Sequence, residues 1–222
     1  MLSKKTQAIL AHWKGDLALA FSGQAEDVVA LDLLRRIAGL SLEVFMLDTQ
    51  KHFPETQDFY RAVERHFGIV IRVYLPAAEE VRALENDLGQ WGMRHSLENR
   101  KRCCAVRKVA PLKLALADKS GWVTGQRAEQ APTRQGLREI EFDDNFGLMK
   151  FNPLAHWQEA DVAAHVRAHG LPTHPLYAQG FRSIGCAPCT RAVAPGQAAR
   201  AGRWWWEDPE HKECGLHERR AA

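Results

Sequence analysis

The chain has 222 residues, 45% of them hydrophobic and 26% charged, with a formal net charge of +3. These values are close to those of ordinary globular domains and exclude a disordered or low-complexity polypeptide, and no apolar run approaches the roughly 20 residues a bilayer crossing needs. The start, Met1-Leu2-Ser3-Lys4-Lys5 followed by Gln7, His12 and Lys14, lacks the apolar core of a secretory signal, so a cytoplasmic protein is expected, and its five cysteines read as metal ligands or reactive thiols rather than disulfides.

The run Asp16-Leu17-Ala18-Leu19-Ala20-Phe21 reads as a short buried strand, Ser22-Gly23-Gln24-Ala25-Glu26-Asp27 as a polar turn, and 28–37 as a helix. A second strand over 42–47 ends in Asp48-Thr49, a helix follows over 55–67, and 69–75 is a third strand. Strands alternating with helices predict an α/β fold, a parallel sheet with helices on both faces. Residues 100–116 have helical content and carry Cys103 and Cys104, with Pro111 as a break or kink. A further strand over 121–125 runs into a loop, a hairpin is expected over 140–151, and a helix over 158–169 stops at Gly170 with Pro172 beyond. From 171 onward proline and glycine are frequent and periodicity fades, but no repeat or low-complexity segment marks a second domain.

Backbone N–H groups at the first strand-to-helix turn can cradle a phosphate, with Ser22 adding a hydroxyl; the alternative is an ordinary helix start favoured by Glu26 and Asp27. The turn lies at the C-terminal edge of the first strand, where open parallel sheets bind ligands. Cys186-Ala187-Pro188-Cys189 has the spacing that lets two thiolates converge, and Cys103-Cys104 supplies two more. Zinc normally takes two spaced pairs, so the mixed set favours an iron-sulfur cluster over a zinc knuckle or a redox pair. Lys108 stands one turn beyond Cys104, and basic residues cluster over 94–108 and 182–203. Trp204-Trp205-Trp206 cannot all face one way, so at least one belongs to the core. Cys214, with Lys212 and His217 nearby, has the positive surroundings that favour a thiolate nucleophile, against the plainer reading of a free surface cysteine.

Taken together, Ser22-Gly23-Gln24-Ala25-Glu26-Asp27-Val28, Leu47-Asp48-Thr49, Phe53-Pro54-Glu55-Thr56, Cys103-Cys104, Gly185-Cys186-Ala187-Pro188-Cys189-Thr190-Arg191, Ala201-Gly202-Arg203-Trp204-Trp205-Trp206 and Lys212-Glu213-Cys214-Gly215-Leu216-His217 resemble the assimilatory adenylyl-sulfate reductases, the cluster-containing branch of the phosphoadenylyl-sulfate reductase family. The resemblance implies a Rossmann-like adenine nucleotide α-hydrolase fold, with a single domain over 1–203 and a mobile tail over 204–222. It implies a 4Fe-4S cluster on Cys103, Cys104, Cys186 and Cys189, serving as a structural and electrostatic partner to the substrate relayed through Lys108, rather than as an electron carrier. Cys214 would attack the sulfur of adenosine 5′-phosphosulfate, and thioredoxin or a related dithiol protein would release sulfite from the resulting S-sulfocysteine. Arg200, Arg203 and His217 correspond to phosphosulfate contacts; Ser22, Gly23, Glu26, Asp27, Thr49 and Arg127 correspond to positions around the nucleotide. A homo-oligomer is compatible with this reading.

The chain departs from many relatives at Gln50-Lys51, where Gly-Arg is common, and at Ala131, where Ser is common. The 3′-phosphorylated nucleotide is the first alternative substrate, although enzymes that use it normally lack the cluster cysteines. A nucleic-acid-binding zinc module or a tRNA-thiolating adenylase is the other class; Gln24 replaces the second glycine of a pyrophosphatase loop, and nucleic-acid binding requires no lone Cys214.

Overall fold

The computed structural model describes residues 1–213, 215 and 216, so Cys214 and His217 lie outside the described residues. The elements run α1 (Lys4–Ala11), β1 (Leu17–Ala20), α2 (Ala25–Arg35), β2 (Leu42–Leu47), α3 (Pro54–Phe67), β3 (Ile71–Tyr74), α4 (Ala78–Leu88), α5 (Leu97–Cys104), α6 (Ala110–Leu116), β4 (Gly121–Val123), β5 (Ile140–Asp143), β6 (Leu148–Phe151) and α7 (Glu159–His169). The strands form one sheet in the order β3-β2-β1-β4-β6-β5. All neighbours are parallel except the β5–β6 pair, which is the expected hairpin. Among the described residues no helix is long and apolar enough to cross a membrane.

Alternation along each strand sorts the core into two layers. Leu17, Leu19, Val44, Met46, Val123 and Phe151 face one way and pack with residues of α1, α2, α3 and α7. Ala18, Phe45 and Trp122 face the other way and pack on Leu112, Ala115 and Leu116 of α6. The chain therefore winds outward from β1 in both directions, leaving a crevice at the C-terminal ends of β1 and β4, where the strand order reverses.

The sequence reading passes over α1 and α4. Ser3 caps α1, its Oγ accepting from Thr6 N at 3.1 Å, but α1 buries only Thr6 and Leu10. Of α4 only Val81 and Leu84 are buried, so neither helix carries a long apolar stripe. The expected kink at Pro111 takes a definite form. Residues 97–116 are continuously helical, but Ala105–Val109 forms a π-turn between α5 and α6. Proline has no N–H to offer the carbonyl four residues back and its ring crowds that carbonyl, so the ladder locally widens before α6 resumes.

No break in packing falls at 203/204. Trp204 is buried with Met93, Cys186 and Cys189, and its N–H donates to the Cys189 carbonyl at 3.0 Å. Arg100, fully buried on α5, donates to both carboxylate oxygens of Glu207 at 2.9 Å and to the His211 carbonyl at 2.6 Å. Arg100→Leu would strand Glu207 in the interior, and a loss of about 3–5 kcal/mol is expected in chemical denaturation. Arg102→Leu, which breaks only the exposed pair with Asp87, should cost less than about 1 kcal/mol.

Candidate active site

A cavity of about 530 Å³ opens at the C-terminal ends of β1, β2 and β4, within the range that holds a small ligand. Ser22, Glu26, Asp27, Thr49, Lys108, Arg127, Arg200 and Arg203 all line it. Gly23 does not; its φ of +81° shapes the turn against the Tyr60 ring. Glu213 and Leu216, on either side of residue 214 in sequence, are also in the lining.

The turn after β1 closes on itself. Asp27 Oδ2 accepts from Ser22 N at 2.8 Å, Ser22 Oγ at 2.7 Å and Gln24 N at 3.3 Å, while Ala25 N donates to Tyr177 Oη at 2.9 Å. Of the donors expected to cradle a phosphate, those of Ser22, Gln24 and Ala25 are thus engaged within the protein. Burial pushes Asp27 up to about 6 even though Ser22 and Gln24 hydrogen bonds pull it down. Gly125 is required here, since a Cβ on it would lie 2.4 Å from Asp27 Oδ1. Arg127 is buried against two carboxylates, donating to Glu26 Oε1 at 2.9 Å and Glu129 Oε2 at 2.6 Å. Gln24 does what the sequence did not reveal: its amide donates to the Ile184 carbonyl at 2.8 Å and accepts from Ile184 N at 3.1 Å, tying the turn to the loop that leads into Cys186.

The four candidate ligands converge. Cys103 and Cys104 end α5, Cys186 precedes and Cys189 ends a single turn of 3₁₀ helix (Ala187–Cys189), and all four line one small cavity with Lys51, Arg100, Arg107, Lys108 and Trp204. Burial pushes the thiols of Cys103 and Cys189 up, the latter to about 11. Burial would do the same to Cys186, but Lys108, the hydrogen bond with Thr49, Arg203 and Arg107 together bring it below an ordinary thiol. The Cys186 thiol donates to Thr49 Oγ1 at 3.3 Å. Four soft donors ringed by cations suit an anionic thiolate-bound group. A single zinc ion with bonds of ~2.3 Å needs sulfurs about 3.8 Å apart. Among the described residues the one triad of His, Cys, Asp or Glu ligand atoms within 4.8 Å of one another is Asp32, His165 and His169, not any three of these sulfurs. At Asp32, by contrast, the Arg36 guanidinium at 2.7 Å already supplies the positive charge.

Lys108, Cys186 and Trp204 line both cavities, so the π-turn lysine stands between the sulfur site and the larger space. Its charge, after burial, helps hold His52 down to about 4. Arg203 donates to the Ile184 carbonyl at 3.1 Å and stacks 4.7 Å from the Trp204 ring centre. A Cβ on Gly185 would lie 2.4 Å from Arg203 Nη2, which accounts for the glycine before Cys186. Arg200 Nη2 donates to the Lys212 carbonyl at 2.6 Å. Sequence reasoning missed Arg107, which donates to the Thr49 carbonyl at 2.8 Å and Glu85 Oε1 at 2.6 Å; it also missed Arg134 and Glu213. Arg107 lay within the basic 94–108 cluster and Glu213 within the Cys214 motif, but nothing in the sequence marked Arg134.

Residues 16–192 match the family described as phosphoadenosine phosphosulfate reductase domain. The chain is 48% identical over 206 residues to adenosine 5′-phosphosulfate reductase of Allochromatium vinosum, covering 93% of this chain and 80% of that protein. It is 41% identical over 225 residues to the protein of the same name from Neisseria meningitidis, covering 97% and 91% respectively. The fold is similar to that of a phosphoadenylyl-sulfate reductase from Candida auris solved as a phosphate complex, with a TM-score of 0.65 at 24% identity over 87% of this chain and 98% of that one.

Gln50 has a φ of +58°, in the left-handed region that favours glycine. Gln50→Gly should relieve about 1 kcal/mol of left-handed strain and raise Tm by about 2–4 °C. Burial places the folded Asp27 pKa near 6, above its unsubstituted value of 3.8, so ionised Asp27 costs stability: that cost is absent below 3.8 and grows as pH rises through 6. The Tm of the native protein relative to Asp27→Asn should therefore fall as pH is raised from about 4 to 7.

Proposed function

The chain belongs to the phosphoadenosine phosphosulfate reductase family, and from that membership we propose that it reduces adenosine 5′-phosphosulfate to sulfite and AMP through a covalent intermediate on Cys214, in assimilatory sulfate reduction leading to cysteine. The observation that carries this reading is the position of Lys108, which lines both the four-cysteine cavity and the nucleotide-sized cavity. The latter is also lined by residues on both sides of 214.

The nucleoside occupies the crevice at the ends of β1 and β4, beside the Ser22–Asp27 turn, Thr49 and Arg127. Because Ser22 N and Gln24 N of that turn bind Asp27, the anionic end of the substrate is held by side chains: Lys108, Arg200 and Arg203, with His217, outside the described residues, as a further phosphosulfate contact. The Cys214 thiolate attacks the sulfonyl sulfur. A sulfur–sulfur bond forms, the bond from that sulfur to the bridging phosphate oxygen breaks, and AMP leaves with the electron pair. Negative charge grows on the departing phosphate, where each of the three cations contributes about 2–4 kcal/mol, the magnitude typical of an oxyanion donor.

A thioredoxin-type dithiol supplies the two electrons that follow. One of its thiolates attacks the Cys214 sulfur and expels sulfite; its second thiol resolves the mixed disulfide and restores Cys214. Cys103, Cys104, Cys186 and Cys189 hold a 4Fe-4S cluster, and the buried cations around them offset its charge. When bound, that cluster supplies fixed negative charge beside Lys108. Residues 204–222 act as the catalytic tail, anchored on the 1–203 body through Trp204 and Glu207, in a cytoplasmic enzyme.

Intact-protein mass spectrometry after anaerobic incubation with adenosine 5′-phosphosulfate tests this directly. A sulfonate adduct is expected on the native chain, absent in Cys214→Ser, and discharged by thioredoxin. No adduct would reject the reaction, and faster turnover of the 3′-phosphorylated nucleotide would replace the substrate. Iron and labile sulfide are expected in the anaerobically purified protein; zinc without either would reject the cluster.

A further inference from the structure

The end of the described chain is tied down residue by residue. Arg100 Nη2 donates to the His211 carbonyl at 2.6 Å, Arg200 Nη2 to the Lys212 carbonyl at 2.6 Å, and Arg100 Nη1 to the Glu213 carbonyl. The Glu213 side chain then enters the large cavity. Its Oε1 accepts from Arg134 Nε at 3.1 Å and Thr133 Oγ1 at 3.1 Å; its Oε2 accepts from Arg134 Nη2 at 3.3 Å and lies 3.5 Å from Arg200 Nη2. The carboxylate is 13% exposed and Arg134 is 11% exposed. Burial opposes its charge, but the two guanidiniums overcome that and hold Glu213 below the usual carboxylate range. Solvent-exposed ion pairs are worth little, whereas a pair so enclosed, with a hydroxyl as third donor, has a defined geometry.

We infer that Glu213 is a positioning residue: its carboxylate, clamped by Arg134 and Thr133 beside Arg200, sets the register of the chain so that the next residue is delivered to the cavity. The inference rests on the reading of Cys214 as the nucleophile. Consecutive Cα atoms are 3.8 Å apart, so anchoring residue 213 by both its carbonyl and its side chain fixes the point from which the chain continues. Holding a nucleophile near its target raises its effective concentration, and a displacement of about 1 Å can cost about a hundredfold. Arg134 and Thr133 are not among the cations assigned to the phosphosulfate. Removing the Glu213 charge therefore takes away an anion from the cavity without removing a substrate ligand. The expected signature is a slower chemical step with substrate affinity unchanged or improved.

The test uses cluster-loaded protein under anaerobic conditions. Rapid-quench intact-mass measurements give the rate of adduct formation at saturating adenosine 5′-phosphosulfate for the native chain, Glu213→Gln, Arg134→Gln and the double variant. Dissociation constants are measured in the Cys214→Ser background. Each single substitution should slow adduct formation by about tenfold or more, the double variant should be no slower than the slower single variant, and affinity should weaken by less than about threefold. Thr133→Val, which leaves every charge in place, should slow the step in the same sense. Rates within twofold of native, additive losses in the double variant, or losses matched by weaker binding would each overturn the inference. If the native chain itself forms no adduct, the nucleophile reading fails first, and that result is distinct from a native adduct forming at a rate the variants share.

Discussion

A guanidinium with no exposed surface organises the part of this protein that surrounds the sulfur site. Arg100 lies one turn ahead of Cys104 on the same helix and hydrogen-bonds it, and the same group binds Glu207 and the carbonyls of His211 and Glu213. A buried charge of this kind is tolerated only when its donors are satisfied, and the acceptors come almost entirely from the last described segment. The chain end and the cysteine helix are consequently parts of one arrangement. Trp204 lies beneath it, with the guanidinium of Arg100 4.8 Å from its ring centre and Arg203 at 4.7 Å.

Charge is distributed around the large cavity in two patterns. Near the turn after β1, acidic groups surround a single cation: Arg127 meets both Glu26 and Glu129, and Asp27 accepts from Ser22 and Gln24. Toward the sulfur site Lys108 and Arg203 act on Cys186, whose thiol is held below its ordinary value in spite of burial. A dipolar ligand with a neutral nucleoside and an anionic end would be oriented by that contrast alone. Shape positions the first part and field the second.

The fold was largely legible in the sequence because each strand of the sheet core is a short apolar run ending in a turn, and the 42–47 strand coincides with β2. The cysteine set was legible through residue type and spacing. The rest depended on contacts across long separations: Arg134 and Glu213 are 79 residues apart, Gln24 and Ile184 160. Their side chains are ordinary polar types that sequence periodicity cannot distinguish from solvated ones. Pro111 announced a disturbance in its helix but not its kind, because a kink, a break and a widened turn all relieve the same clash.

That widened turn separates two alignment problems along a single helical run. α6 must present Leu112, Ala115 and Leu116 to the sheet, while α5 must aim two adjacent cysteines and Arg100 at the small cavity they share with Cys186 and Cys189. In an unbroken α-helix each residue advances the azimuth by about 100°, so satisfying one end dictates the other. The extra residue accommodated in Ala105–Val109 acts as a phase shifter. One helical run thereby carries two faces at a fixed angular offset, one matched to the sheet and one to the thiols.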